Sequence, residues 1–570
     1  MNPFDTHEVF NQAAPFENVN LFDCDLALRE ALEREGGGAS GAMLSALGAR
    51  LGRADTLDLA RQANVNAPRL HNFDRAGRRI DELEFHPAWH RLMTLLIESG
   101  AHCSAWDGSQ TQVARAAQYL LFGQLENGSQ CPVTMTYAAL PALRQASPHL
   151  AARWLPKILS RHYDPRSLPV ERKRGALIGM GMTEKQGGTD VRSNTTRATK
   201  IDAEEGARLV GPNDAEGLHR IVGHKWFFSA PQSDAHLILA QSVDAGGADI
   251  GLSCFLLPRF LPDGSRNQIR VQRLKDKLGN RSNASSEVEF TGAYAWLIGA
   301  PGRGVPTIIE MASHTRLDCV LGSAGIMRAA LTHALHHARG RAAFGRPLAE
   351  QPLMQNVLAD LALESEAATA FALRLARCFD QQADPAQAML ARVLTPAGKY
   401  WICKRGPGFG AEAMEVMGGS GYIEDAPLAR LYREFPVNSI WEGSGNVMCL
   451  DLLRAFAKNP AARDALAQEL AILPAPGGDA SPVFAAFAAS LLDDLAQPQG
   501  GVQDGEYGAR RLAERIVLAV QGALLLRHAP DFVAHGFIAS RLAQGVGGAY
   551  GRLPDGVDCA AILARALIEG

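Results

Sequence analysis

The segment HLILAQSVDAGGADIGLSCFLLP, residues 236–258, decides the fold class. Two short apolar runs, His236–Val243 and Leu252–Pro258, flank the turn-rich sequence DAGGADIG, a pattern typical of a β-hairpin. The segments IRVQRL (Ile269–Leu274) and SSEVEF (Ser285–Phe290) then alternate as half-buried strands do. This part of the chain therefore predicts a small antiparallel β domain.

Helical periodicity dominates on both sides of this β domain. In HPAWHRLMTLLIESG (86–100), apolar residues recur at three- and four-residue spacing, which predicts a helix that stops at Gly100. An apolar stripe over residues 317–338 predicts a long helix that ends near Gly340. A further helix is expected to begin at Pro352, since proline suits a first helical turn.

The last part of the chain carries linker and loop signals. LPAPGGDASP (473–482) reads as a linker, with Ser481 and Pro482 expected to cap and begin the next helix. PQGGVQDGEYG (498–508) is predicted to be a mobile loop. The order helix, β, helix, helix does not fit a doubly wound sheet. The predicted domains are an N-terminal mostly helical domain at 1–178, a β domain at 179–296, a helical bundle domain at 297–450 and a C-terminal helical domain at 451–570.

Composition excludes several classes of protein. The 570 residues include 47% hydrophobic and 21% charged residues, which argues against wholesale disorder. A net charge of −3 argues against a generally basic nucleic-acid-binding coat. The longest apolar stretch, near Ile516–Leu526, is too short to span a membrane, and no secretion signal is recognised. Nine scattered cysteines without CxxC predict reduced thiols in a cytoplasm and no metal site.

Two motifs at the β domain are candidates for ligand binding. The glycines of GMGMTEKQGGTD (179–190) permit close backbone approach, and Thr183 and Thr189 offer hydroxyl groups. The aromatic run in GHKWFFSAP (223–231) could form a floor for a planar heterocycle. An ordinary glycine loop and a strand of core aromatics are the alternatives.

Two further motifs could hold phosphate. Arg341 in RGRAAFG (339–345) could bind it through a charge-assisted fork, or compensate a helix C-terminus. The paired glycines Gly418 and Gly419 could turn backbone amides toward phosphate, or simply end a helix.

The segment SIWEGSGNVMCLDLLR (439–454) carries the candidate catalytic group. Glu442 lies between Trp441 and a tight glycine-containing turn. A carboxylate that is partly desolvated by an indole suits a base for a C–H proton. An exposed turn carboxylate is the alternative.

In this order, the five motifs resemble the acyl-CoA dehydrogenase superfamily over residues 170–455. MTEKQGG, HKWFF with SDAHL, RLKDKLGNRSNAS, ICKRG, EAMEV and LYRE followed by PVNSIWEGSGN narrow the resemblance to its AidB-like branch, flavoproteins of the alkylation response. The resemblance implies a multidomain α+β fold. Its parts are an N-terminal helical domain, a central antiparallel β domain, a helical bundle domain and an extra C-terminal helical domain.

The resemblance implies FAD as cofactor and a homotetramer, built as a pair of dimers, in which Arg341 and Phe344 reach the FAD of a neighbouring subunit. Two departures from the family pattern are Glu415 and Pro352, which stand where many members have glutamine. The residues that match FAD contacts are Met182, Thr183, Thr189, Phe227, Phe228, Ser229, Arg341, Phe344, Gly418, Gly419, Ser444 and Asn446.

Glu442 matches the family's catalytic base, which removes the α-proton of an acyl-CoA thioester while a hydride leaves the β-carbon for flavin N5. The backbone amide of Glu442 would stabilise the enolate-like oxygen. Arg316 and Asp318 begin the helix that lines the pocket, where they could restrict a fatty chain, hold a polar group or form a salt bridge. The residues expected to contact substrate are Thr189, Arg316, Trp441, Glu442 and Gly443.

AidB-like proteins add a C-terminal domain implicated in DNA binding. Residues 451–570 here hold ten basic and thirteen acidic residues, so the domain has no positive excess to bind phosphates. Arg510, Arg511 and Arg515 are candidate DNA-binding residues, with solvated helix charges as the alternative. Two functions compete with acyl-CoA dehydrogenation. One is that of a DNA-binding protective flavoprotein with little dehydrogenase activity, and the other is that of a flavin oxidase or monooxygenase acting on a non-CoA substrate.

Overall fold

A computed structural model of the chain describes residues 6–244, 246–471, 480–496, 502–545 and 547–568. The chain forms two compact units, which we call the helical unit and the sheet unit. The predicted division into four domains stays a prediction. The helical unit comprises Met1–Leu57, Thr111–Leu125 and Cys319–Gly570, and the sheet unit comprises Asp58–Gln110 and Glu126–Asp318.

The strands are β1 Arg69–Phe73, β2 Arg79–Glu84, β3 Ile178–Gly181, β4 Arg197–Lys200, β5 Leu218–Ser229, β6 Ala235–Val243, β7 Asp249–Pro258, β8 Ile269–Leu274, β9 Ser285–Ile298, β10 Ala342–Ala343 and β11 Arg346–Pro347. The α-helices are α1 Leu26–Arg34, α2 Gly41–Leu51, α3 Ala54–Val65, α4 Pro87–Glu98, α5 Gln112–Leu125, α6 Gln130–Leu143, α7 Pro148–Ile158, α8 Ala203–Val210, α9 Gly304–Gly340, α10 Pro352–Asp380, α11 Pro385–Val416, α12 Gly419–Tyr422, α13 Pro427–Asn438, α14 Gly445–Lys458, α15 Ala461–Ala471, α16 Ala480–Ala496, α17 Val502–His528, α18 Asp531–Ile538 and α19 Cys559–Ala566.

The sheet unit is built around one seven-stranded sheet. Its order is β3-β6-β4-β5-β9-β7, β8 pairs with β9, and β6 also pairs with β7, so five strands close into a ring. Closure places one set of alternating side chains inside, including the buried Phe228, Ile238, Phe255 and Phe290. Burial on both faces explains why β6 reads as a nearly continuous apolar run.

The structure corrects one prediction about strands and adds a hairpin. β3 and β4 both pair in parallel with β6, so the sheet is mixed rather than purely antiparallel. The N-terminal segment also contains the antiparallel hairpin β1–β2. Its strands, RLHNF and RIDELE, are so polar that they lack the alternation of apolar and polar residues by which a strand is predicted. Long-range bonds hold the hairpin, since Asn72 Nδ2 and an Arg79 guanidinium nitrogen both donate to the carbonyl of Val271, at 2.7 and 2.8 Å.

The long helices agree with the sequence predictions. α4 ends at Glu98, just before Gly100, while α9 ends at Gly340 and α10 begins at Pro352. α9 begins earlier than predicted, at Gly304, so Arg316 and Asp318 lie inside this helix and do not begin it. Within the helical unit, α11 packs against α10, α13 and α14. This packing forms the framework from which the segment between α13 and α14 projects.

The C-terminal predictions need correction. Helix α16 begins at Ala480, so Ser481 lies inside it rather than at its cap. Residues 502–508, predicted as a loop, belong to α17. Ala509 and Ala513 of this helix are buried. Their tertiary packing stabilises the helix although the glycines before them favour a loop. The linker residues 473–479 and the loop residues 498–501 lie outside the described residues.

A fully buried ion pair joins β5 to the loop that follows β3. Lys225 Nζ lies 2.8 Å from Glu184 Oε1 and also donates to the carbonyl of Leu239 at 2.8 Å. Burial alone would raise the pKa of Glu184. The Lys225 ammonium and the hydrogen bonds from Thr195 and Thr196 nevertheless hold the pKa of that carboxyl below its usual range.

We expect Lys225→Met to lower the free energy of unfolding by about 3–5 kcal/mol, because it leaves the Glu184 carboxylate buried without its cation. The double variant with Glu184→Leu should be less destabilised than the single variant. Thermal unfolding of the purified proteins measures both effects, with exposed Lys200→Met as control. A Lys225→Met protein as stable as the control would contradict this role.

Candidate active site

The glycine loop, residues 179–190, is held at its centre and exposed at its end. The amide of Trp226 donates to the carbonyl of Thr183 at 2.9 Å. The next residue of the loop, Glu184, is anchored by its ion pair with Lys225. A Cβ added to Gly188 would lie 2.3 Å from Thr183 Oγ1, so glycine allows the chain to pass over the Thr183 side chain. Met182 and Thr183 are half-buried, and Thr189 is exposed.

A β-bulge re-aims the aromatic residues of β5. Pairing with β9 shifts register between Lys225 and Phe228. As a result Trp226 and Phe227 are consecutive residues outside the core. The Phe227 side chain is 52% exposed, and Lys275 Nζ lies 4.8 Å from its ring centre. An aromatic face beside an ammonium group is a platform for a planar anionic ligand.

The other two matched residues of β5 point differently. Phe228 is 1% exposed and stacks on His236, with ring centres 3.8 Å apart. Its ring therefore belongs to the core of the sheet unit, which agrees with the alternative interpretation of the aromatic run as core residues. Ser229 Oγ lies 3.1 Å from Ser285 Oγ, so its hydroxyl is positioned by a cross-strand partner.

In the helical unit, Glu442 lies on the catalytic turn, which we define as residues 439–446, from the end of α13 to the first two residues of α14. Glu442 has a φ of +57° and Gly443 a φ of +102°. A left-handed conformation is uncommon for a residue with a side chain and is found most often where function requires it. Trp441 Nε1 donates to Asn438 Oδ1 at 3.1 Å, which fixes the indole of the residue that precedes the half-buried Glu442.

Two side chains that sequence reasoning missed hold this turn. Lys399 of α11 donates to the carbonyls of Trp441 and Gly443, at 2.7 and 2.5 Å. Arg510 of α17 makes two bonds to Asn446 Oδ1, at 2.9 and 2.7 Å. Both contacts join residues that are far apart in sequence. Neither Lys399 nor Arg510 belongs to a local sequence pattern that predicts its contact.

The three candidate DNA-binding arginines have different surroundings. Arg510 is bound to Asn446. Arg515 bonds to Ser490 at 3.0 Å and pairs with Asp494. Arg511 is exposed. Two of the three guanidinium groups therefore have intramolecular partners.

The segment after α9 forms a tight hairpin. Strands β10 and β11 pair, and the two loop residues Phe344 and Gly345 have φ of +53° and +78°. Such a two-residue turn normally prefers asparagine or glycine at its first position. Phe344 is 100% exposed at the tip, while Arg341 donates to the carbonyl of Asn11 at 2.9 Å.

The remaining predicted residues lie in both units. Gly418 has a φ of +60°, and a Cβ added to Gly418 or Gly419 would meet no atom within 4 Å, so the backbone there is open to a ligand. Ser444 is exposed at the N-cap of α14. In the sheet unit, Arg316 is half-buried, and the buried Asp318 accepts a hydrogen bond from Thr134 Oγ1 at 2.7 Å.

Family models match most of the chain. The AidB N-terminal domain of the adaptive response matches residues 11–165, the acyl-CoA dehydrogenase middle domain matches 179–293, and the acyl-CoA dehydrogenase C-terminal domain matches 302–457.

Individual relatives agree with these matches. The chain is 50% identical over 527 residues to AidB of Escherichia coli (strain K12), covering 92% of each protein. It is 32% identical over 431 residues to acyl-CoA dehydrogenase family member 11 of Caenorhabditis elegans, covering 73% of this chain and 66% of that one. Among solved structures, Caenorhabditis elegans ACDH-11 in complex with C11-CoA superimposes with a TM-score of 0.83 at 28% identity, covering 94% and 93% of the two chains.

Fold and relatives together define an acyl-CoA dehydrogenase-like enzyme with FAD as its cofactor. Within that class, the chain belongs to the AidB family. The resemblance drawn from the motifs is thus confirmed. Among the described residues, no helix has the length and apolar content needed to cross a membrane.

Proposed function

We propose that this protein dehydrogenates an acyl-CoA thioester at its α and β carbons, with Glu442 as the base. The observation that carries the proposal is the catalytic turn, where a half-buried carboxylate sits in a left-handed conformation between an anchored indole and a glycine. A fixed carboxylate of this kind suits removal of a weakly acidic C–H proton.

The residues present fit FAD. In the sheet unit, the exposed face of Phe227, with Lys275 beside it, suits a flavin ring. Taken by itself, the helical unit offers open backbone at Gly418, which suits phosphate groups. When bound, FAD supplies the acceptor for the hydride from the β-carbon. The proposed contacts are Met182, Thr183, Thr189, Phe227, the backbone of Phe228, Ser229, Gly418, Gly419, Ser444 and Asn446, together with Arg341 and Phe344 toward the FAD of a second subunit.

The chain's own groups would perform the proton chemistry. The Glu442 carboxylate takes the α-proton, and negative charge then develops on the thioester oxygen. The backbone N–H of Glu442 is directed by the same turn and donates to that oxygen. The indole of Trp441, the residue before the base, is anchored by its hydrogen bond to Asn438.

An acyl-CoA is the proposed substrate because the Caenorhabditis elegans relative was solved in complex with C11-CoA. The contacts expected are those of Thr189, Arg316, Trp441 and Gly443. The polar pair of Thr134 in α6 and Asp318, well inside α9, favours a short or branched acyl group over a long chain.

A homotetramer is the proposed assembly. Phe344, Leu353 and Tyr422 expose 100%, 86% and 78% of their surfaces in the helical unit, which is costly unless another surface covers them. A second copy of this chain is the proposed cover. The nine free thiols, eight of them buried, support the cytoplasm as its location.

We expect Glu442→Gln to keep bound FAD and to slow flavin bleaching by acyl-CoA by about 100-fold or more, since the amide cannot accept the proton. Anaerobic mixing with a panel of acyl-CoAs, followed at the visible absorbance of the flavin, measures this rate. Exposed Glu310→Gln is the matched control. Turnover retained in the Glu442 variant would refute the assignment of the base.

We expect Arg510→Ala to weaken FAD binding by about tenfold, because a charge-assisted hydrogen bond of 1.5–3 kcal/mol no longer holds Asn446. Fluorescence titration of apoprotein with FAD measures the change. Arg463→Ala removes another exposed arginine of the same C-terminal region and should leave FAD affinity unchanged. Equal affinities for the two variants would show that the contact between Arg510 and Asn446 does not support the flavin site.

The alternative function, a DNA-binding protective flavoprotein of the alkylation response, depends on free cations of the C-terminal domain. Arg510 and Arg515 are bound to Asn446 and Asp494, which leaves the exposed Arg511 as the candidate cation for phosphate. We therefore expect duplex binding to be weak and Arg511→Ala to change the slope of log affinity against log salt by about 0.9 at most. A thousandfold loss of affinity between about 50 and 200 mM salt would instead support the DNA-binding function.

A further inference from the structure

Lys399 is a buried lysine with an unusual set of partners. It is 1% exposed on α11, and its ammonium donates to the carbonyls of Trp441 and Gly443. The other buried lysines among the described residues, Lys173 and Lys225, pair with Asp234 and Glu184 at 2.5 and 2.8 Å. Within the described part of the chain, Lys399 forms no such ion pair.

Burying an ammonium group without a carboxylate carries a large desolvation penalty, which carbonyl contacts offset only in part. A neutral side chain could brace a loop at lower cost. The position of the two carbonyls suggests what the charge contributes, because they belong to the residues immediately before and after Glu442.

The contact of Lys399 with the carbonyl of Trp441 strengthens a neighbouring hydrogen-bond donor. The carbonyl of Trp441 and the N–H of Glu442 belong to the same peptide unit, whose electrons are delocalised. A cation on the oxygen draws electron density from the nitrogen, which makes the N–H more positive and a stronger donor. This N–H is the group proposed above to stabilise the thioester oxygen.

The contact of Lys399 with the carbonyl of Gly443 helps to fix the backbone conformation of the turn. By holding the carbonyls on both sides of Glu442, Lys399 restrains the turn in which Glu442 has a φ of +57°. A left-handed conformation is unfavourable for a residue with a side chain and persists where the surroundings determine it. The two bonds offset that cost.

We propose that Lys399 is a positioning residue that fixes the catalytic turn and strengthens the Glu442 amide as the donor to the enolate-like oxygen. The inference rests on the proposed function. It adds a charged group that acts through the peptide backbone, without contact with substrate.

The test isolates the proton step. A 3-thia-acyl-CoA has acidic α-hydrogens but sulfur at the β position, so it can lose a proton and has no β-hydride to transfer. Exchange of its α-hydrogens in D₂O, followed by mass spectrometry, reports enolate formation by the FAD-loaded protein. Turnover of a true acyl-CoA substrate gives kcat and KM alongside.

Three variants separate charge from bracing. Lys399→Met removes both, and Lys399→Gln keeps two N–H donors without the charge. We expect Lys399→Met to lower α-hydrogen exchange and kcat by about tenfold or more while KM changes less, and Lys399→Gln to lie between this variant and the native protein. Exposed Lys458→Met should match the native protein.

Folding is checked by thermal unfolding and by the bound flavin spectrum. If Lys399→Met does not fold, Lys399→Gln carries the test, because its amide can satisfy the same carbonyls. Native exchange rates in a folded, FAD-loaded Lys399→Gln protein would overturn the electrostatic role. Native protein that exchanges no α-hydrogen would overturn the proposed function itself, and the inference with it.

Discussion

Glu442 occupies a backbone conformation that its side chain disfavours, and the neighbouring parts of the helical unit are arranged to keep it there. α13 ends and α14 begins within a few residues of it. Lys399 holds the carbonyls on either side, and Asn438 holds the adjacent indole. Asn438 in turn donates to Ser323 Oγ at 3.1 Å, which ties the turn to α9. Placing the proposed base to within a fraction of an ångström requires such a supporting network.

The sheet unit solves a different problem, that of exposing an aromatic face on a closed ring of strands. A bulge in β5 turns Phe227 outward while Phe228 stays in the core. The same strand carries Lys225, whose buried ion pair with Glu184 fixes the centre of the glycine loop. One strand thus supplies the platform, part of the core and the anchor of the neighbouring loop.

Much of this arrangement could be predicted from the sequence. Helical periodicity located α4, α9 and α10, and short apolar runs located β6 and β7. The glycines and aromatics of the flavin motifs are local patterns, and they pointed to the correct family. The sequence could not predict that Phe228 would face inward, because a bulge depends on pairing with β9.

Long-range contacts account for the remaining errors. The β1–β2 hairpin is held by bonds to Val271, about 200 residues away in sequence, and its own residues are polar. Lys399 and Arg510 each meet the catalytic turn across a sequence separation of 42–64 residues. A positive charge on a helix reads as a surface group, so Arg510 was interpreted as a candidate for DNA rather than as a partner of Asn446.

The most direct test of the central claim is an experimental structure of the protein with FAD and a non-reacting acyl-CoA analogue. The account predicts a Glu442 carboxylate oxygen about 3–3.5 Å from the α-carbon, with the Glu442 amide directed at the thioester oxygen and Lys399 still on the two carbonyls. A bound analogue whose α-carbon faces another side chain, with Glu442 turned to solvent, would contradict it.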